Sequence, residues 1–552
     1  MSTSDDEKIL ASSALMAAGT VVSRMSGLVR SVLLAAALGA QLHADLFTIG
    51  NTIPNMLYIL LAGGIFNAVL VPQLVRAMKN DPDGGEAYTN RVITLAALFL
   101  GGVTLLLVLA APWVMSLYLD PDYGRAALAA ERESIIDFAR YCLPQVFFYG
   151  MFVLVGQILN SRGRFGPMMW APIANNVISV GVLVAYLLAF GPASKAEQMG
   201  PFTAHQELIL GLGSTLGIAA QFLILVPYLK RAGFTFRPRF DFRGTGLGHT
   251  LRLGLWTVLF VVVNQIAYTV VVRLASGGTT GGGDGTGYFV YSSTFLIMMV
   301  PHSIVTVSLA TAVLPRLSAL AAGDDLAGLA RSLTSTMRTA LAVVAPFALL
   351  LPLIAPDVAN VVWGHGAARE TFDLYTLSLS LFGLGLVFFT VHYLMLRGFY
   401  ALERTRTVFW IQCGVAAANI LVAVVLVGAT DATHTSPALV VAYSASYVVG
   451  SVVSYAVLRR LLGGLETPRL VRFLARLAVA AGVSTAAAFV LAQVLHGLAD
   501  TAPAWPIAAG RAFAITLLDV ALFVVMARLL RLSEVTSVID IVAGRLPSVR
   551  RR

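Results

Sequence analysis

Residues 93–119 read ITLAALFLGGVTLLLVLAAPWVMSLYL, twenty-seven positions without a charged side chain. An α-helix rises about 1.5 Å per residue and a bilayer's hydrocarbon is about 30 Å thick, so this run is long enough to cross a membrane. It has company: comparable segments lie near 10–38, 46–74, 136–159, 168–190, 208–229, 253–275, 288–314, 339–363, 374–396, 407–428, 437–458, 474–495 and 506–528. With the first, they make fourteen. The 552-residue composition agrees, at 58% hydrophobic and 12% charged, where a soluble protein carries roughly 25% charged residues. The expected fold class is therefore an all-α polytopic membrane protein. Its longest hydrophilic connection, near 230–252, is shorter than the roughly 50 residues of a small domain. That excludes a soluble enzyme, a nucleic-acid binder and a receptor carrying a catalytic domain.

Charge distribution orients the spans. The net charge is +10, from 38 Lys and Arg against 28 Asp and Glu. Of those 38, the even-numbered connections and the C-terminal tail hold 28 and the odd-numbered connections hold 6. Basic residues concentrate in cytoplasmic loops, so both termini are expected in the cytoplasm, which an even number of spans requires. The acidic start MSTSDDEK precedes the first span without a signal-cleavage pattern and is expected to remain attached. The tail from Leu532 to Arg552 ends in VRRR and reads as a segment lying near anionic lipid.

The two halves echo each other. A shift of 243 residues superimposes Pro72 on Pro315, Asn176 on Asn419 and Arg30 on Arg273. Six spans per half would preserve orientation, giving two parallel six-helix lobes, the arrangement of alternating-access transporters. The expected organisation is an N-terminal lobe at 1–230 and a C-terminal lobe with its linker at 231–460. Two extra helices follow at 461–530, then a basic tail at 531–552.

Few residues within the spans carry charge. Arg24 and Arg30, in SRMSGLVRS, stand two turns apart and about 120° around one helix. A charge at mid-membrane costs about 2.5 kcal/mol or more, so each either lines a wet cavity, snorkels to an interface, or pairs with a carboxylate such as Asp45. A guanidinium lining a cavity suits phosphate through paired hydrogen bonds. Asn51, Asn55 and Asn67 in the second span, with Asn175, Asn176, Asn264, Gln265 and Asn419 elsewhere, also fit interhelical hydrogen bonding without further function. Asp137 and Arg140 form an expected local ion pair. Asp357, Asp519 and His392 are candidate ion-coupling groups, although a helical histidine such as His392 or His302 is commonly a packing residue.

The run GGTTGGGDGTG at 277–287 lacks the GK[ST] of a phosphate loop and reads as a flexible external linker. No GxSxG, HExxH or clustered His/Cys ligand set occurs, and Cys142 and Cys413 read as small apolar residues. No enzyme activity, metal or cofactor is expected.

The stretch SRMSGLVRSVLLAAALG at 23–39, followed by Asp45, IPN at 53–55 and FNAVLVPQL at 66–74, resembles the MurJ (MviN) family. These are lipid II flippases of the multidrug/oligosaccharidyl-lipid/polysaccharide exporter superfamily. ILNSRGRFGPMMWAPIANN at 158–176 is similar to the family's pattern at Asn160, Arg164, Phe165, Pro172 and Asn176, as is RGFYALERTRT at 397–407. The resemblance implies two lobes around a cationic cavity, with a lipid-tail groove at the last two helices. It also maps the family's first-helix arginines and second-helix aspartate onto Arg24, Arg30 and Asp45, and Asn51, Asn55 and Tyr58 are the further candidate substrate contacts. This chain departs from the family at Ser31, Tyr58, Gly63 and Leu296, where charged residues are expected. The implied function is an alternating-access flippase that moves lipid II, or a similar polyprenyl-pyrophosphate glycolipid, from the inner to the outer leaflet of a bacterial plasma membrane. Implied partners are membrane lipids and cell-wall synthesis proteins, and no nucleic acid. Alternatives are an exporter of another polyprenyl-linked glycan, a cation-coupled drug exporter, a membrane glycosyltransferase, or a non-transporting scaffold for cell-wall synthesis.

Overall fold

The computed structural model describes residues 3–59, 83, 85–164, 166–241, 247–498, 503–536, 539 and 544. Asn67, Gly63, Pro72 and Phe165 lie outside the described residues, as does most of the tail after Thr536. The described chain is helical, without a strand. Up to Ser276 the helices are α1 (Thr3–Leu38), α2 (Leu42–Tyr58), α3 (Glu86–Leu109), α4 (Ala111–Tyr118), α5 (Ala129–Cys142), α6 (Gln145–Ser161), α7 (Gly166–Phe190), α8 (Ala204–Leu223), α9 (Leu225–Arg231) and α10 (Leu247–Ser276). After the glycine-rich run come α11 (Tyr288–Pro301), α12 (Ser308–Ala322), α13 (Leu326–Trp363), α14 (Leu374–Ala401), α15 (Thr405–Ala429), α16 (Thr435–Leu461), α17 (Thr467–Gly497) and α18 (Trp505–Leu529).

Among the described residues, twelve helices are long and apolar enough to cross a membrane. The first two expected spans correspond to α1 and α2, but residues 60–82 are undescribed, so the count of fourteen is not reached on the described residues alone. Large apolar side chains cover the outer surfaces: Leu188 is 83% exposed and Trp113 81%. Such a surface would aggregate in water and suits acyl chains.

Prolines divide the spans unevenly. Pro301 gives way to a π-helical turn at His302–Val307 before α12 begins, a local widening that recurs at functional helices. Pro346, Pro352 and Pro356 instead remain inside the unbroken α13. Membrane-spanning helices tolerate this when neighbours satisfy the freed carbonyls.

The chain forms two compact units. The N-terminal unit runs to Phe289 and includes His365–Ala368. In it α1 packs on α7, α7 on α8, and α2 on α5. Phe152, Leu159, Leu225 and Phe234 contribute to a core against α3. The C-terminal unit holds the rest, with α14 against α13 and α16, and α17 against α18.

Two connections of the N-terminal unit are more ordered than their composition suggests. In the longest one, the Arg237 amide donates to Asn90 Oδ1 at 2.8 Å and the Arg239 amide to Thr94 Oγ1 at 3.1 Å. Arg91 Nε reaches Asp241 Oδ2 at 2.9 Å. That guanidinium, with Arg239 beside it, lowers the Asp241 carboxyl to about 2. Because the folded value lies below the unfolded one, the clasp is fully present above the ordinary aspartate range and is lost as pH falls through about 2. Asp241→Asn is therefore expected to free this strap at neutral pH, seen as faster trypsin cleavage after Arg239; an unchanged cleavage rate would contradict the clasp.

The glycine-rich run is a flexible linker only at its tip. Residues 281–284 are exposed, whereas Gly278, Thr279 and residues 285–287 are buried. Thr279 Oγ1 donates to Asp45 Oδ2 at 2.8 Å and the Phe289 amide to Oδ1 at 2.6 Å. A Cβ on Gly287 would collide with that carboxylate. Gly287→Ala is expected to lower stability by about 1–3 kcal/mol in thermal unfolding, while Gly281→Ala, which meets open space, is neutral.

Candidate functional site

The site is built where four helices of the N-terminal unit face one another. Asn51 and Asn55 stand one turn apart on α2, Gln145 and Tyr149 on α6, Asn175 and Ser179 on α7, and Ser214 and Ile218 on α8. Residues at i and i+4 share a helix face, so these apolar helices turn seven polar side chains and one isoleucine toward one point. With Thr52 and Arg30 they line a cavity of about 170 Å³. Gly217 permits the close approach of α8 to α7, since a Cβ there would strike Asn175 Oδ1.

Among the described residues Arg30 is the cation lining this cavity. It projects from α1, which Asn176 fixes to α7 by donating to Ser23 O at 3.0 Å and Ser26 Oγ at 2.8 Å. Gln145 Nε2 donates to Asn51 Oδ1 at 2.9 Å, and Tyr58 stacks on Tyr149 at 4.9 Å between ring centres. Among the described residues no carboxylate pairs with Arg30. The cavity thus offers a guanidinium among neutral donors and acceptors, an arrangement suited to an anionic group with polar substituents.

The expected substrate contacts separate into two groups. Arg30, Asn51 and Asn55 line the cavity and Tyr58 adjoins it through Tyr149. Arg24 is exposed on α1 and outside the lining. Asp45 is fully buried, its carboxylate taken by Thr279 and the Phe289 amide, so the pairing of a first-span arginine with Asp45 does not form. Sequence reading passed over Gln145, Tyr149, Ser179 and Ser214, whose one signal is the four-residue spacing of polar side chains within apolar runs.

The three ion-coupling candidates belong to the C-terminal unit. Asp357 on α13 is fully buried and accepts from Arg511 of α18 at 2.7 and 3.0 Å, with His496 Nε2 at 3.1 Å. Its charge is already matched. Thr485 Oγ1 reaches Asp519 Oδ1 at 3.3 Å across α17 and α18. His392 is buried with Ser454 Oγ at 3.3 Å from Nδ1 and Tyr447 beside its ring, and His302 packs on Phe389 and Tyr393. The Asp137–Arg140 ion pair forms at 2.8 Å.

This fold and this cavity define a multi-pass membrane transporter rather than an enzyme. The architecture is similar to a solved "Lipid II flippase MurJ, inward closed conformation", with TM-score 0.69 and 16% identity over 94% of this chain and 98% of that one. It also resembles an inward-facing "multidrug resistance MATE family transporter of the MOP superfamily", with TM-score 0.63 and 17% identity over 80% and 95%. The sequence pattern of the family described as "Lipid II flippase MurJ" matches residues 34–503, and the chain belongs to that family. Relatives include a "Probable lipid II flippase MurJ" of Haemophilus influenzae, 27% identical over 70% of this chain and 75% of that protein. Another of the same description, from Rhizobium meliloti, is 26% identical over 89% and 88%.

Proposed function

We propose that the chain moves lipid II from the inner to the outer leaflet, with Arg30 gripping the pyrophosphate inside the polar cavity. The observation that carries this is a guanidinium without a carboxylate partner among the described residues, facing side chains able to hydrogen-bond a sugar-peptide headgroup. A large polar head is rejected by hydrocarbon, whereas the polyprenyl tail need never leave it; a transporter has only to shield the head. Arg24 lies six residues nearer the N-terminus on the same helix, about 9 Å along its axis, and serves as a second ligand of the diphosphate on the cytoplasmic side of Arg30. Asn51 and Asn55 contact the headgroup, and Tyr58 supports Tyr149 behind them.

The distribution of Lys and Arg among the connections supports both termini in the cytoplasm. Outward movement of anionic charge then gains about 2.3 kcal/mol per charge per 100 mV of interior-negative potential. The weak internal repeat supports a six-plus-six core of like-oriented lobes at 1–230 and 231–460, which alternate access to the cavity, with the last two helices added to it.

Depletion of this protein in living cells tests the reading. Lipid II is expected to accumulate in the inner leaflet, and the wild-type chain to clear it. Normal outer-leaflet delivery during depletion, or full rescue by an Arg30→Ala chain expressed at the wild-type level, would overturn it.

A further inference from the structure

The C-terminal unit holds a second basic cavity, remote in sequence from Arg30. It measures about 190 Å³ and is lined by Arg338 of α13, Arg469, Arg472 and Arg476 of α17, and Arg531 just beyond α18. Glu534 is the sole carboxylate in the lining among the described residues. It lies 3.2 Å from Arg338 Nε, and the Arg338 guanidinium sits 6.0 Å from the Phe473 ring centre. Arg469 pairs with Glu466 at 2.6 Å. Among the described residues Arg472, Arg476 and Arg531 have no ion pair, although Arg472 Nε donates to Pro468 O at 3.2 Å.

This placement works against the local electrostatics. Arg469, Arg472 and Arg476 occupy the opening turns of α17 at spacings of three and four, on one face. The N-terminal end of a helix favours anions and disfavours cations, yet the carboxylate at this terminus, the N-cap Glu466, is paired with Arg469 and the first turn adds no other acidic residue. Arg531 takes φ +54° after the end of α18, a left-handed conformation that ordinarily selects glycine. An anion in the cavity would offset the arginine repulsion and interact favourably with the helix terminus.

The surroundings identify the source of that anion. Val471 (57% exposed), Leu474 and Leu529 (69% exposed) flank the arginines on the outer surface, where apolar helices leave the membrane. We propose that the cavity binds the phosphodiester of an anionic phospholipid, its glycerol within the cavity and its acyl chains along those exposed side chains. Forked guanidinium groups engage phosphate oxygens in pairs. The volume is on the order of six waters at roughly 30 Å³ each, enough for a glycerophosphate.

The test uses purified full-length protein in detergent, mixed with equal dioleoylphosphatidylglycerol and dioleoylphosphatidylcholine, with bound lipid counted by native mass spectrometry. Retention of the anionic lipid is expected to exceed that of the zwitterionic one by about tenfold or more. Arg472→Gln with Arg476→Gln is expected to bring the ratio near one. Arg459→Gln with Arg460→Gln, outside the cavity, keeps the ratio, and Glu534→Gln raises it by removing the competing carboxylate. Equal retention of the two lipids, an unmoved ratio in the first pair or in Glu534→Gln, or equal losses in both pairs would overturn the proposal.

Discussion

Replacing Arg30 with alanine is expected to reduce lipid II translocation about a hundredfold or more, with normal expression and folding. Two charge-assisted hydrogen bonds to a diphosphate contribute about 1.5–3 kcal/mol each, and about 1.4 kcal/mol is a factor of ten. Among the described residues no other cation lines the cavity, so none of them substitutes for the lost charge. Arg30→Lys keeps the charge but loses the planar fork and falls between. Arg24→Ala, at an exposed position, has a smaller effect. Measurement of initial flipping rates for the three variants checks the order; equal rates for Arg30→Ala and wild type would remove Arg30 from the site.

The second large effect concerns folding. Asp357→Ala leaves the Arg511 guanidinium without its carboxylate, and Arg511→Ala leaves Asp357 with His496 alone, where Asp357 is 0% and Arg511 10% exposed. Breaking such a pair costs about 3–5 kcal/mol, visible as a marked drop in thermal stability. Replacing both with apolar residues of similar volume, Asp357→Leu with Arg511→Met, restores most of it. If Asp357 were instead the ion-coupling carboxylate, Asp357→Asn would abolish transport at unchanged stability. The geometry predicts the reverse emphasis: Asp357 ties α13 to α18, and its loss is felt first in the melting temperature.

Sequence alone reaches the membrane class because burying fewer charges and exposing more hydrocarbon is a property of whole segments. It reaches Arg30 for the same reason: a permanent charge inside an apolar run demands an explanation. Gln145, Tyr149, Ser179 and Ser214 carry no such penalty, and only the packing of α6, α7 and α8 reveals their shared target. Asp357 and Asp519 read as lone acids because their partners are distant in sequence; Arg511 lies 154 positions beyond Asp357. Asp45 matched a family position, yet in this chain the buried ends of the glycine-rich run close over it. Proline likewise gives no simple rule, opening a π-turn after Pro301 while α13 runs on through three prolines.

The most direct test reconstitutes the purified chain into sealed vesicles containing fluorophore-labelled lipid II, followed by a membrane-impermeant quencher. In protein-free vesicles half the label stays protected. With the wild-type chain the protected fraction is expected to become accessible, and with Arg30→Ala to remain protected. Protein that binds lipid II with wild-type affinity yet leaves the inner-leaflet label protected would contradict transport and leave a scaffold.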